Sequence, residues 1–288
     1  MRRESPQRAL ERYERRMRRL VARGLRIEVQ DLVRTRRRFD AFRARALAVL
    51  PDRYAMNRAF IAGVVNSVEN ELRALESDLG VIVRDGMKGQ AAIAEAMADD
   101  YANTFLPFGR QPPVIAAASP QLIDLAADFS ADLIGLRTGG LASQVLAEVN
   151  RVVRLSALGA GPGAFNAAAE INAALGGAKR WSYRAERIYR METLRIHSML
   201  TDQSVKALDA IVRTNKLWRW SGIERAEHRA IDGQTVGAHE RFTVPLREGG
   251  STEMDYPRQP GAPASATLGC GCYLVPKPAN ESALRRVA

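Results

Sequence analysis

Apolar residues recurring at steps of three and four constrain this chain more than any other feature. Leu10, Tyr13, Met17 and Leu20 open the series, and after Gly24 it resumes at Leu25, Val29, Leu32, Phe39, Phe42, Ala46 and Leu50. A helix turns once in about 3.6 residues, so this spacing lays a narrow apolar stripe along one face. Pro51 interrupts the pattern, and Tyr54, Ile61, Val65, Val68, Leu72, Leu75 and Leu79 then follow a near-heptad that Gly80 ends. Two long helices joined at a proline predict an antiparallel hairpin. Narrow stripes suit coiled-coil packing, either within the chain or in self-association with a neighbouring subunit.

Helical spacing continues through most of the chain. A third helix is predicted from Gly89 to Phe105, followed by a linker over 109–120 rich in proline and small residues. Ser119 as N-cap and Pro120 in the first turn open a helix through Leu122, Leu125, Phe129 and Leu133. Further helices are predicted over Leu141–Leu158, over Phe165–Leu175 after a turn at 159–163, and from Ala178 through Leu208. The period is lost near Thr214, where Gly, Pro and aromatic residues take over; the stretch at Phe242–Leu246 and that around Cys270–Val275 read as short strands. The predicted fold class is mainly α: a long helical hairpin or bundle in the N-terminal two-thirds, then a small irregular α+β C-terminal module. The regions are a basic helical hairpin over 1–110, a helical region over 119–213, the module over 214–279 and a tail over 280–288.

With 46% hydrophobic and 26% charged residues among 288, the composition is that of a globular protein. No uncharged apolar run approaches the roughly 18 residues a membrane span needs, so no membrane partner is expected. The basic start lacks the apolar segment of a secretory signal, which points to synthesis in a cytoplasm. The net charge of +11 is unevenly placed: residues 1–45 hold about sixteen arginines against six acids, nearly the whole excess. Arg12, Arg15, Arg16, Arg18, Arg19, Arg36, Arg37 and Arg38 are therefore candidate contacts to nucleic-acid phosphates, with a solvated helix face as the simpler alternative.

The two cysteines, Cys270 and Cys272, are too few for a disulfide framework. With His228, and with His239 as a possible fourth, they are ligand types that suit zinc, which would staple a module with little apolar mass. The alternative for His228 is a bond to the tight turn at Asp232–Gly233. Of Trp218 and Trp220, one is expected in the core and one toward an interface. Glu192 is flanked by Arg187, Arg190 and Arg195, an arrangement suited to a buried ion pair tying its helix to the module. Signatures of serine hydrolases, phosphate-binding loops, zinc proteases and dinucleotide sites are missing. The nearest enzymatic reading is a metal-dependent, HNH-like nuclease using His228, Asp232 and His239, without the cysteine pairs that fold usually carries.

The ordered set Glu192, Trp218 or Trp220, Arg225, His228, Asp232, Gly233, Phe242, Cys270 and Cys272 resembles the phage Mu protein F-like, or phage head morphogenesis, family of minor head proteins. The resemblance covers about the last 120 residues. It departs at Met191, where threonine is usual, and at Gly269-Cys270-Gly271-Cys272, where the family often has Asn-Cys-Arg-Cys. It implies a structural protein of the virion, inside the capsid near the portal after assembly in the host cytoplasm. Its partners would be the portal protein, the major capsid protein or both, and packaged DNA. Its part in head morphogenesis, DNA packaging or ejection would be played by binding, not catalysis. The competing expectation is a free nucleic-acid-binding protein working through its arginine-rich helices.

Overall fold

The computed structural model describes residues 5–48, 58–106, 140–159, 178–222 and 227–279, with scattered positions between 123 and 135. Leu50, Pro51, Tyr54, the 109–120 linker with its Ser119–Pro120 helix start, the turn after Gly159, the helix predicted over 165–175, Arg225 and the 280–288 tail lie outside the described residues. The chain is mainly helical. Helices α1 (Pro6–Ala48), α2 (Arg58–Phe105), α3 (Leu141–Gly159) and α4 (Ala178–Asp209) precede a small α+β region. The described positions from Ile123 to Leu133 are also helical. Among the described residues no helix is long and apolar enough to cross a membrane.

The chain divides into two compact units. One comprises Met1–Val29, Asp85–Asp124 and Arg190–Ala288; the other comprises Gln30–Arg84 and Leu125–Tyr189. In the first, Arg16 bonds Asp100 at 3.0 Å and the Gln90 amide donates to the Gly24 carbonyl at 3.0 Å. In the second, Arg38 pairs with Asp78 and Arg45 with Glu71. Partners advance along α1 as they retreat along α2, so the two helices pair antiparallel, as the stripes predict. Phe39, Phe42, Ala46, Val68, Leu72, Leu75 and Leu79 are buried in the second unit, where Tyr189 also donates to Asp31 at 2.6 Å. In the first, Tyr13, Met17, Ile93, Met97, Tyr101, Phe105 and Leu208 form a core with Val275.

Two sequence expectations need correction. Helix α2 passes through Gly80 and Gly89 without a break, so the third helix is not separate. A glycine inside a helix costs about 1 kcal/mol, whereas burying one aliphatic side chain contributes roughly 1.5–3 kcal/mol. Ile82, Val83 and Met87 continue the buried stripe and outweigh the glycine. Gly24 likewise lies inside α1, and a Cβ there would sit 3.1 Å from Gln90 Oε1, so this glycine marks a close helix approach and not a stop. The second correction follows from the first. With Gly24 on the stripe, the buried positions run on through Glu28, Asp31, Leu32 and Thr35, and Val29 is 59% exposed.

The first strand of the α+β region starts at Thr214. Strand β1 (Thr214–Arg219) is central to an antiparallel sheet of order β2-β1-β5, with β2 at Thr235–Gly237 and β5 at Tyr273–Pro278. Strands β3 (Phe242–Pro245) and β4 (Ser251–Met254) form a separate hairpin, and a short helix α5 covers Ala264–Thr267. Pro276 and Pro278 pair with Lys216 and Thr214 and are tolerated because β5 is an edge strand. Its outward carbonyl at Pro276 accepts the Tyr13 hydroxyl at 2.7 Å, which helps to cover that edge. Alternation along β1 sends Lys216 and Trp218 inward and leaves Leu217 and Arg219 half-buried on the other face.

Candidate metal centre

His228 sits on a short 3-10 helix, Glu227–Ile231, that leads into the Asp232–Gly233 turn. Gly233 takes φ of 83°, a conformation that favours glycine, and its N–H donates to the Trp218 carbonyl at 2.9 Å. Asp232 accepts from the Trp220 N–H at 3.0 Å. The turn is thus locked by Asp232 and by β1 backbone, and His228 is left for another task. Its ring stands edge-on to Trp218, with centroids 5.5 Å apart, and Trp218 in turn packs on Phe242. Its Nδ1 lies 3.3 Å from Cys270 Sγ and 3.6 Å from Cys272 Sγ.

These three side chains are buried and offer ligand atoms that all lie within 4.8 Å of one another. Metal bonds of about 2.0 Å to nitrogen and 2.3 Å to sulfur put a tetrahedral N···S edge near roughly 3.5 Å, which the two observed separations bracket. The group could hold a metal ion such as zinc. The cysteines bracket Gly271 just before β5, so the strand's register fixes where both thiols point. The Cys270 thiol is drawn well below its usual range, first by a hydrogen bond from Cys272 and then by His228 and the nearby Arg258 charge, against its burial. Cys272 moves the opposite way, because it gives that hydrogen bond and is itself buried.

Arg258 is the residue that sequence reasoning missed. It is wholly buried, with its Nη1 donating to the Cys270 carbonyl at 2.7 Å and its Nη2 to the Cys272 carbonyl at 2.6 Å. Nη2 also reaches the Leu194 carbonyl at 3.0 Å and Ser198 Oγ at 2.9 Å on α4. Its own carbonyl accepts from Arg195, which is paired with Glu192 at 2.8 Å. Glu192 is therefore the buried ion-pair residue the sequence suggested, and burial raises its carboxyl above the ordinary value while Arg195 and Arg258 oppose the shift. Arg190 turns instead to Glu28. Nothing in the spacing marks Arg258, since it lies in a proline-flanked loop about 60 residues from the helix that anchors it; its one visible signal is a cation in a segment otherwise poor in charge.

The other candidates divide. Trp218 and Phe242 are fully buried in one cluster with Cys270, Cys272 and Leu274, and Trp220 is half-buried beside them beneath Arg229. His239 does not join the buried group: its side chain is 70% exposed, 4.0 Å from Asp209. The arginines are exposed on α1, but several are engaged. Arg16 pairs with Asp100, Arg15 lies 4.0 Å from Glu11, Arg36 grips Glu186 through two bonds, Arg38 meets Asp78, and Arg12 also has a partner. Arg18, Arg19 and Arg37 are exposed and without an acidic partner among the described residues.

No protein-family model matches the sequence, and neither a curated protein nor a solved structure does so.

Proposed function

We propose that this protein is a phage minor head protein of the Mu protein F-like kind, working by adhesion and not by catalysis. One observation carries the reading: Trp218, His228, Phe242, Cys270 and Cys272, scattered over 55 positions of sequence, share a single core. Glu192 is tied to that core through Arg195 and Arg258. Such a conjunction is what a compact docking module requires. In this reading His228, Cys270 and Cys272 hold a structural zinc. Their burial favours a fold-holding ion over a reactive one, because a substrate needs an accessible coordination position. The helical region docks on the portal or major capsid protein inside the virion, after assembly in the host cytoplasm. The unpartnered arginines lie against packaged DNA, with an affinity that falls as salt rises.

The test is co-sedimentation with DNA-free proheads assembled with and without portal. Retention that depends on the portal supports the reading, and loss of all retention once DNA is absent overturns it. A free nucleic-acid-binding protein is the second reading, favoured by exposed Arg18, Arg19 and Arg37; it predicts binding to naked DNA and none to empty proheads.

A further inference from the structure

Among the described residues Arg258 makes no ion pair with a carboxylate, although Glu28 and Glu192 lie close enough to feel its charge. All of its short hydrogen bonds go to three carbonyls and one hydroxyl, and its Nη1 also lies 3.8 Å from the Cys270 Sγ. A buried cation is costly unless an anion or a dense set of acceptors compensates it. The backbone adds a second anomaly. Among the described residues Arg258 is the single non-glycine residue with positive φ, at 64°. That conformation costs an ordinary side chain of order 1 kcal/mol and persists only where the surroundings over-determine it. Here the surroundings are the carbonyls of both cysteines and a turn of α4.

We propose that Arg258 is the outer-shell positioning residue of a metal centre formed by His228, Cys270 and Cys272. The inference rests on the metal reading of that trio and adds to it the residue that shapes the site. By gripping the carbonyls on either side of Gly271, the guanidinium fixes the Cys-Gly-Cys backbone so that both thiols converge on His228 Nδ1. Its charge lies 3.8 Å from the Cys270 Sγ, a soft ligand atom that a soft divalent cation would bind. Leu194 and Ser198 anchor the clamp to α4, so the helix that carries Glu192 becomes part of the site's outer shell.

The experiment uses the full chain, stripped of metal and titrated with cobalt(II) and then with zinc in competition. The readouts are thiolate-to-cobalt charge transfer and the visible bands of a tetrahedral ion. Wild type is expected to give both signals and to release cobalt to zinc. Arg258→Asn, which tolerates the left-handed backbone but cannot span the acceptors, should bind cobalt roughly 10- to 100-fold more weakly at unchanged helical circular dichroism. Arg258→Lys, which keeps the charge, should fall between the two. Ser198→Ala removes one anchor and leaves the guanidinium in place, so it should weaken binding in the same direction, and it decides the matter if the Arg258 variants do not fold. Wild-type affinity in Arg258→Asn, or in Ser198→Ala where that variant must decide, overturns the positioning role and leaves the metal site standing. A wild-type chain that gives no cobalt signal overturns both.

Discussion

Lys216 offers the sharpest test of how the sheet is tied to α4. It is fully buried on β1, and its Nζ donates to Asp202 Oδ1 at 2.9 Å and to the Asp255 carbonyl at 3.1 Å. Asp202, itself buried, also meets Lys206 at 2.7 Å, and Lys206 reaches solvent with 34% of its side chain exposed. The two ends of this pair are therefore unequal. Asp202→Ala strands a buried ammonium whose next carboxylate oxygen, on Asp255, is 3.9 Å away. Breaking a buried pair in that way costs about 3–5 kcal/mol. Lys216→Met removes the buried cation and fills its volume, while Asp202 keeps Lys206 as a partner, so it should cost roughly half as much or less. With a urea slope of about 2 kcal/mol per molar, Asp202→Ala should move the unfolding midpoint by roughly 2 M. Tryptophan fluorescence reads the transition, since Trp218 and Trp220 lie in this module. The double variant should be more stable than Asp202→Ala alone, because it no longer buries an unpaired charge. A Lys216→Met loss equal to or above that of Asp202→Ala, or a double variant at the sum of the two, would refute the reasoning.

Three further outcomes follow from single sites. Burial, and then the Arg258 charge, depress the His197 pKa to about 4, so between that value and its ordinary 6.5 the unfolded chain binds a proton that the folded one does not. The corresponding stability, up to about 3 kcal/mol, is complete above pH about 6.5 and is lost as pH falls toward 4; denaturant titrations at stepped pH should show that slope, and His197→Gln should flatten it. Gly80→Ala should stabilise the fold by about 1 kcal/mol, because a Cβ there meets nothing within 4 Å, whereas Gly24→Ala, 3.1 Å from Gln90 Oε1, should not share the gain in a thermal melt. Arg18→Gln and Arg19→Gln should each lower the salt dependence of DNA affinity by about one unit of log–log slope without changing stability, and an unaltered slope would remove them from the interface.

The long helices were legible because their signal is local. A stripe repeated over ten turns survives one glycine or one misjudged residue, which is why α1 and α2 emerge from spacing even though Gly80 and Val29 were misread. The error at Val29 has a definite origin. Glu28, Asp31 and Thr35 occupy stripe positions, and a polar residue there looks like solvent until its partner is known. Asp31 has a local partner in Arg34, but the bonds to Arg190 for Glu28 and to Tyr189 for Asp31 come from a helix about 160 residues away, outside any local window. The site was legible in the same uneven way. His228, Cys270 and Cys272 announce themselves by ligand chemistry, and the Asp-Gly turn by backbone chemistry. His239 shares the chemistry and fails on position, since it is 70% exposed. Arg258 and Lys216 are surface residues by type, and only the fold shows them buried.

The glycine between the cysteines is the last point where position and chemistry can be separated. In the family proposed above for this chain an arginine often stands there, and on that proposal Gly271 is the loss of a charge beside the thiols. Gly271, however, lines a cavity of about 20 Å³ together with Val21, Gly24, Gln90, Ile93 and Leu194. That space admits at most about one water, far less than a guanidinium and its three methylenes. An arginine at 271 would have to push α1 and α2 off the sheet, at a cost of typically 1–3 kcal/mol or more for overpacking. Arg258 brings the same cation to the same thiols from a different loop, where α4 supplies acceptors for it. The expectation is asymmetric. Gly271→Arg should not rescue cobalt binding in Arg258→Asn, and on the wild-type background it should lower the melting temperature. Rescue would mean that charge alone organises the thiols, and that the grip on the two carbonyls is incidental.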